Sequence, residues 1–156
     1  MLPTNRRRIV RALEVTIGSG RPFSSFGPGV DQYPPSSFRQ VGLRLDRDEL
    51  DRRIDARYDA QLSGGFLAEV TSLAARELSR TAAQALGYRE LLDHVAGSVT
   101  LDEAMAAARK RTKRFARRQE RWFRRDPRIT WFEADRDDLV DQVEGWWRTP
   151  GSASSP

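Results

Sequence analysis

The sequence predicts a mainly helical chain with two short strands, and two patterns lead to that fold class. Apolar residues recur at intervals of three and four over most of the 156 residues, which is the period of one buried helix face. Patterns typical of strands occur in only two places. They are 129–132 and 41–45, and in the latter apolar residues alternate with Gly and Arg. Two short strands are marginal without further strands or a packed helix layer. We therefore expect the sheet of this chain to be incomplete.

The first predicted elements are one helix and one long loop. Asn5 can cap a helix that runs to about Ile17, with Ile9 and Leu13 spaced four apart along the same face. Glycine, proline and serine are frequent in 18–37, and such residues interrupt helices and strands. This segment is therefore predicted to be an irregular loop rather than a boundary between two domains.

Three helical segments are predicted after the first strand. Asp46 and Glu49 have the spacing of a capping box, which predicts a helix over 46–63 that a pair of glycines ends. A second helix is predicted over 66–78. A helical pattern then resumes and covers about 81–97.

The longest predicted helix begins at Thr100, because Thr100 and Glu103 again have capping-box spacing, and it continues to about residue 125. A shorter amphipathic helix is predicted near 139–147, where the tryptophans are assigned to packing. The small and polar residues of 149–156 predict a disordered tail.

Composition excludes several classes of function. No apolar run approaches the ~20 residues that a membrane-spanning helix needs, and the basic N-terminus does not resemble a secretory signal. The chain has no cysteine and a single histidine, His94, so thiolate and histidine metal sites are not expected. We expect a cytoplasmic protein that binds no metal through these residues.

Positive charge is concentrated in one segment. Residues 109–128 include eleven basic and two acidic side chains, whereas the remainder of the chain is acidic overall. Such a division indicates a polyanionic partner, because basic side chains that neutralise phosphates release condensed counterions.

The basic helix also has a seam of residues that share one face: Met105, Ala108, Thr112, Phe115, Gln119 and Trp122. A polar amide between two aromatic rings, with Arg117, Arg118 and Arg121 beside it, favours single-stranded RNA. The amide can bond a base edge while the arginines hold phosphates. The alternative is a solvated charged helix with an apolar underside.

Two smaller patterns are ambiguous. Arg53 and Arg57 stand four apart and could hold a diphosphate together, although their spacing equally fits ion pairs with the aspartates at 51, 55 and 59. The triplet 87–89, Gly-Tyr-Arg, places a stacking ring and a cation after a flexible position. It could also be a simple helix start with a partly buried tyrosine.

Four segments, in this order, resemble the bacterial tRNA dimethylallyltransferase family, also called tRNA isopentenyltransferases. They are the arginine-rich helix at 7–15 with the Gly-Arg-Pro that follows, the block 50–70, the Gly-Tyr-Arg-Glu of 87–90, and the Arg-Arg-Gln-Glu-Arg-Trp-Phe-Arg of 117–124. The resemblance extends from about residue 4 to residue 132.

This resemblance implies transfer of a dimethylallyl group from dimethylallyl diphosphate to the adenosine just 3′ of the anticodon, assisted by Mg2+. By the same resemblance Arg57, with Arg53, would bind the diphosphate. The residues expected to contact the tRNA anticodon stem-loop are Arg7, Arg8, Arg11, Gln84, Gly87, Tyr88, Arg89, Arg117, Arg118, Gln119, Arg121, Trp122 and Arg124.

The chain also departs from the family pattern. Family members begin with a strand and a loop ending in Gly-Lys-Ser/Thr, followed by a catalytic aspartate, and neither motif occurs in these 156 residues. We therefore expect 1–148 to be the C-terminal portion of an α/β P-loop-type transferase, without its N-terminal sheet and phosphate loop. We expect a monomer with no catalytic residue and no transferase activity by itself.

Two other interpretations stay open. One is an autonomous Arg-rich RNA-binding module that performs no catalysis. The other is a relative of the adenylate isopentenyltransferases, which would use a free nucleotide instead of tRNA.

Overall fold

The computed structural model describes residues 5–27, 29, 32–76 and 78–149, and the predicted tail lies almost entirely outside them. Within this part of the chain the predicted class, mainly helical with two short strands, is confirmed. The elements are α1 (Arg6–Ser19), β1 (Gln40–Arg44), α2 (Arg47–Ser63), α3 (Phe66–Ala74), α4 (Tyr88–Val95), α5 (Leu101–Phe123), β2 (Ile129–Glu133) and α6 (Leu139–Arg148), with single 3-10 turns at Phe23–Ser25 and Ala82–Gln84.

The two strands, distant in sequence, lie side by side in a parallel pair. Gln40 is opposite Ile129 at one end and Arg44 is opposite Glu133 at the other. A glycine is required in the middle of β1, because a Cβ at Gly42 would come within 2.7 Å of the Trp131 ring. No third strand extends this sheet within the described residues.

The buried core lies among α2, α3, α4 and α5. Leu91 and Val70 are fully buried at its centre. The other buried apolar residues of the core come from α2, α3 and α5: Ile54, Tyr58, Phe66, Ala104, Met105 and Ala108. One buried polar contact crosses this core, a 2.8 Å hydrogen bond between the hydroxyls of Tyr58 and Thr112.

The structure interrupts the helix that was predicted over 81–97. A 3-10 turn ends at Gln84, and the chain then passes through Gly87, whose φ is +87°. A Cβ at Gly87 would approach the rings of Phe66 and Tyr58 to 3.2 Å. Because this close approach and positive φ require glycine, the helix begins again only at Tyr88. Helix α3 is also shorter than predicted and ends at Ala74.

The peripheral elements are attached through specific side chains. Arg39 stacks 3.8 Å from the centroid of a Trp146 ring and donates hydrogen bonds to the carbonyl oxygens of Trp146, Trp147 and Thr149. These bonds cap the C-terminus of α6 beside the sheet. Helix α1 has no buried residue and packs on the 3-10 turn that follows it, where the Phe23 N–H donates to the Thr16 hydroxyl.

Candidate functional site

Helix α5 positions the basic segment, and its two halves have different surroundings. Ala104, Met105, Ala108 and Thr112 are buried in the first half. The predicted seam continues past Thr112, but it is no longer covered, since Phe115 is 39% exposed and Trp122 is 54% exposed. The aromatic residues of the second half are therefore accessible to a ligand.

Three cations of the first half form ion pairs with carboxylates of α2 and α4. Arg109 Nη2 lies 2.5 Å from Asp59 Oδ1, Arg111 Nη1 lies 2.8 Å from Glu90 Oε1, and Lys113 Nζ lies 2.7 Å from Asp55 Oδ2. These pairs join α5 to its neighbours, so their charge is not available to a polyanion without breaking internal contacts.

The arginines of the second half are mostly without such partners. Arg114, Arg118 and Arg121 are exposed and form no ion pair with any residue that the structure describes. Arg117 Nε donates to the Lys113 carbonyl oxygen at 3.2 Å, which leaves its charge unbalanced. Arg124 differs, because its Nη2 lies 2.6 Å from Glu120 Oε1 one turn earlier.

The second half of α5 also borders an apolar groove of about 670 Å³. Gln119 lines this groove, between the helix and the face of the sheet. The apolar lining comes from both strands, from the residue that follows β1 and from helices α2 and α5: Val41, Leu43, Leu45, Leu50, Phe123, Ile129 and Trp131. Gln119 therefore lies between the unpaired arginines of α5 and an apolar surface, and its predicted contact with RNA stays a prediction.

A second pocket, of about 400 Å³, lies where α2, α3 and the start of α4 meet. Arg57 and Tyr88, which were predicted to bind the diphosphate and the tRNA respectively, both line it. The Arg57 guanidinium lies 5.8 Å from the centroid of the Tyr58 ring and forms no ion pair within the described residues. The pocket thus combines an unpaired cation with aromatic walls.

Tyr88 is held in this pocket by Glu69. The Tyr88 hydroxyl donates to Glu69 Oε1 at 2.7 Å, and this hydrogen bond to a carboxylate raises the pKa of Tyr88. The Tyr88 ring packs edge-on against Phe66, with the centroids 5.0 Å apart. Sequence reasoning did not find Glu69, and no spacing relative to Tyr88 indicates it.

The predicted arginine pair of α2 is divided. Arg53 Nε lies 2.6 Å from Glu49 Oε1, a contact that lowers the pKa of Glu49, and Arg53 does not line the Arg57 pocket. The ion-pair interpretation named the wrong acid, because Asp55 and Asp59 bind α5 instead of Arg53. The proposed diphosphate role of Arg53 stays a prediction.

The segment 84–89, which contains four of the predicted tRNA contacts, is held by hydrogen bonds to Glu90 and Arg111. Glu90 is 8% exposed, and its Oε2 accepts a hydrogen bond from the Gly87 N–H at 3.1 Å. Arg111 Nη2 donates to the Gln84 carbonyl oxygen at 2.9 Å. Arg89 Nη1 lies 3.5 Å from Gln84 Oε1. Sequence reasoning missed both Glu90 and Arg111, although a Glu three residues after Gly87 has capping-box spacing.

The arginines of α1 form a separate group. Arg7, Arg8 and Arg11 are exposed, and Arg11 pairs with Glu14 at 3.4 Å. Among the residues that the structure describes, no hydrogen bond, ion pair or ring contact joins these three arginines to α4 or α5. The arginines of α1 are therefore not linked to Arg89 or Arg118 by direct contact, and their expected role in tRNA binding stays a prediction.

Two further properties bear on function. The described residues contain no group of three or more His, Asp or Glu side chains that could hold a metal ion. None of the described helices combines the length and apolar character that crossing a bilayer requires.

Comparison with known proteins shows which family the chain resembles. The family model of the IPP transferases matches residues 1–126. The chain is 49% identical over 144 residues to the tRNA dimethylallyltransferase of Kineococcus radiotolerans, covering 90% of this chain and 45% of that protein. It is 46% identical over 145 residues to the enzyme of the same name from Nocardioides sp., covering 92% of this chain and 46% of the relative.

The fold is likewise similar to solved structures. The crystal structure of the full-length tRNA isopentenylpyrophosphate transferase of Bacillus halodurans superimposes with a TM-score of 0.66 at 31% identity, over 94% of this chain and 46% of that one. The corresponding Staphylococcus epidermidis protein gives a TM-score of 0.67 at 25% identity, over 96% and 51%. The chain spans about half the length of the relatives that it matches, and the coverage of residues 1–126 shows that it belongs to the IPP transferase family.

Proposed function

We propose that this chain provides the tRNA-binding surface, and one diphosphate-binding arginine, for transfer of a dimethylallyl group to the adenosine 3′ of an anticodon. The observation that carries the proposal is the second half of α5. There, Arg114, Arg118 and Arg121 lack carboxylate partners within the described residues and lie next to exposed aromatic rings. Unpaired arginines release counterions from phosphates, and exposed rings stack on unpaired bases.

The pocket at Arg57 would serve the reaction itself. In the transfer, the exocyclic amine nitrogen attacks the first carbon of the dimethylallyl group, the carbon–oxygen bond breaks, and diphosphate leaves while the amine loses a proton. Fixed positive charge stabilises a departing diphosphate, and Arg57 is available for this role because it forms no ion pair within the described residues. Tyr88, in the same pocket, would contact the extruded base.

In the reaction this chain would bind and position the substrates and would transfer no proton. No residue here is proposed as the base that accepts the amine proton. We therefore expect the chain, supplied alone with tRNA, dimethylallyl diphosphate and Mg2+, to give no modified adenosine. Detection of dimethylallyl adenosine in the recovered tRNA would refute this assignment of roles.

An autonomous RNA-binding module is the second candidate, and the core supports it. Helices α2 to α5 enclose fully buried Leu91 and Val70 without any contribution from the sheet. A module of this kind would melt cooperatively and bind RNA without needing other segments. A free-nucleotide enzyme is disfavoured because a nucleotide would use few of the arginines on α5.

The test compares one arginine from each half of α5 in binding to an anticodon stem-loop over a range of salt concentrations. We expect Arg118→Gln to weaken binding and to lower the slope of log K against log salt by about one unit, because one phosphate contact is lost. The matched variant Arg109→Gln removes a cation already paired with Asp59 and should leave the slope unchanged. Equal slopes for both variants, or stronger binding of free adenosine monophosphate than of the stem-loop, would overturn the proposal.

A further inference from the structure

Arg111 lies in the basic segment of the sequence, but its guanidinium is engaged by other groups of this protein. Its two terminal nitrogens are both engaged, Nη1 with Glu90 Oε1 at 2.8 Å and Nη2 with the Gln84 carbonyl oxygen at 2.9 Å. Glu90 in turn uses its second oxygen for the Gly87 N–H. One guanidinium and one carboxylate therefore fix backbone groups on both sides of the interruption before α4.

These contacts compensate two costs of the local fold, a buried carboxylate and backbone groups without helical partners. A buried carboxylate is costly unless a counter-charge and hydrogen bonds compensate it, and Glu90 has both. The 84–87 backbone leaves the helix, so its carbonyl and N–H groups need partners that a continuous helix would have supplied. Arg111 supplies a donor for the Gln84 carbonyl oxygen, and Glu90 supplies an acceptor for the Gly87 N–H. Together they orient the segment relative to α5.

We propose that Glu90 and Arg111 are positioning residues that hold the segment 84–89 in its RNA-binding conformation, and that Arg111 is not itself a phosphate ligand. The inference rests on the proposed function, in which Tyr88 and Arg89 contact RNA. A segment already held in place loses less conformational entropy on binding. The pair thus supports affinity although neither side chain touches the RNA.

A substitution that changes the charge of Glu90 distinguishes positioning from a simple electrostatic effect, because the two predict opposite changes in RNA affinity. Glu90→Gln removes one negative charge from the site, so a charge effect alone would tighten RNA binding. An amide has a single acceptor oxygen, however, while both carboxylate oxygens of Glu90 are in use. The variant must break one of the two contacts and loosen the segment.

The matched control is Asp93→Asn, which makes the same charge change on an exposed residue of α4 that forms no ion pair within the described residues. We expect Glu90→Gln to weaken stem-loop affinity about tenfold, the loss of one hydrogen bond to a charged group, whereas Asp93→Asn leaves it equal or slightly stronger. Both are measured well below the thermal midpoint of each variant. Equal or tighter binding by Glu90→Gln would overturn the inference.

A second measurement needs no RNA and keeps the two proposals distinguishable. Amide hydrogen exchange of the free chain should become about tenfold faster or more in 84–89 for Glu90→Gln and for the double variant Glu90→Gln with Arg111→Gln, which leaves no unpaired buried charge. Exchange in the first half of α5 should not change. Uniform acceleration, or none in 84–89, would reject positioning. Failure of the unaltered chain to bind the stem-loop would instead reject the proposed function.

Discussion

The two halves of α5 share one helix and one seam, yet they differ in what lies against them. The first half is covered by α2 and α4, and its cations Arg109, Arg111 and Lys113 are paired with acids of those helices. The second half passes beyond this core, and its aromatic residues Phe115 and Trp122 remain substantially exposed. A single amphipathic pattern thus serves as core in one half and as open surface in the other.

The difference teaches that a count of basic residues does not measure the charge available to a ligand. The segment 109–128 contains eleven basic side chains, but Arg109, Arg111 and Lys113 neutralise acids of α2 and α4. In the part of the chain that the structure describes, Lys110 is exposed without an ion pair, and the other cations of α5 without one all lie in the second half: Arg114, Arg117, Arg118 and Arg121. The free charge lies beside exposed rings, which is the combination that single-stranded RNA requires.

The largest expected effect is on the free energy of unfolding, when an apolar residue is removed from each half of α5. Met105 is 5% exposed and Phe115 is 39% exposed. We expect Met105→Ala to lower the free energy of unfolding by about 2–5 kcal/mol, through lost burial and a cavity. Phe115→Ala should cost less than half as much, because its ring is already partly in water. Urea unfolding followed by circular dichroism measures both, and equal losses would mean that the second half is packed as tightly as the first.

Local sequence patterns predicted the helix starts well, because capping depends on neighbours in the chain. The Asp46 carboxylate accepts hydrogen bonds from the N–H groups of Asp48 and Glu49, and Thr100 and Glu103 form the predicted capping box. The pairing of β1 with β2 did not follow from the sequence, since it depends on how the intervening helices return the chain. The interruption before Tyr88 likewise depends on Phe66 and Tyr58, which lie far from Gly87 in sequence.

The candidate site was predictable by residue type but not by partner. The spacing of Arg53 and Arg57 suggested two equivalent cations, whereas the structure pairs only Arg53, with Glu49. Nothing in the spacing of α4 and α5 revealed that Arg111 meets Glu90, because the two residues belong to different helices. Ion pairs between helices are set by packing geometry, which a period of three or four residues does not contain.

A smaller effect is expected at the boundary between the two halves, where Thr112 is the last buried seam residue. Tyr58→Phe removes the hydroxyl that bonds Thr112 inside the core. We expect a loss of about 1–2 kcal/mol in the free energy of unfolding, because a buried hydroxyl is left without its partner. Tyr88→Phe is the control, since it removes a hydroxyl that bonds Glu69 in an exposed position. Thermal unfolding should show the larger shift for Tyr58→Phe, and the reverse order would contradict the division.

The smallest effect concerns the capped start of the first half and depends on pH. Hydrogen bonds from the Thr100 backbone N–H and then its hydroxyl lower the pKa of Glu103 from its ordinary value of 4.5. A folded-state pKa below the unfolded one means that the ionised carboxylate stabilises the fold above the unfolded pKa. This contribution is lost as the pH falls through the lower folded-state pKa. Glu103→Gln should therefore be less stable than the unaltered chain at pH 7, and the difference should shrink progressively below pH 4.5. Urea unfolding at a series of pH values measures this convergence. A difference that stays constant down to the acid limit would show that the box contributes through side-chain packing and not through charge.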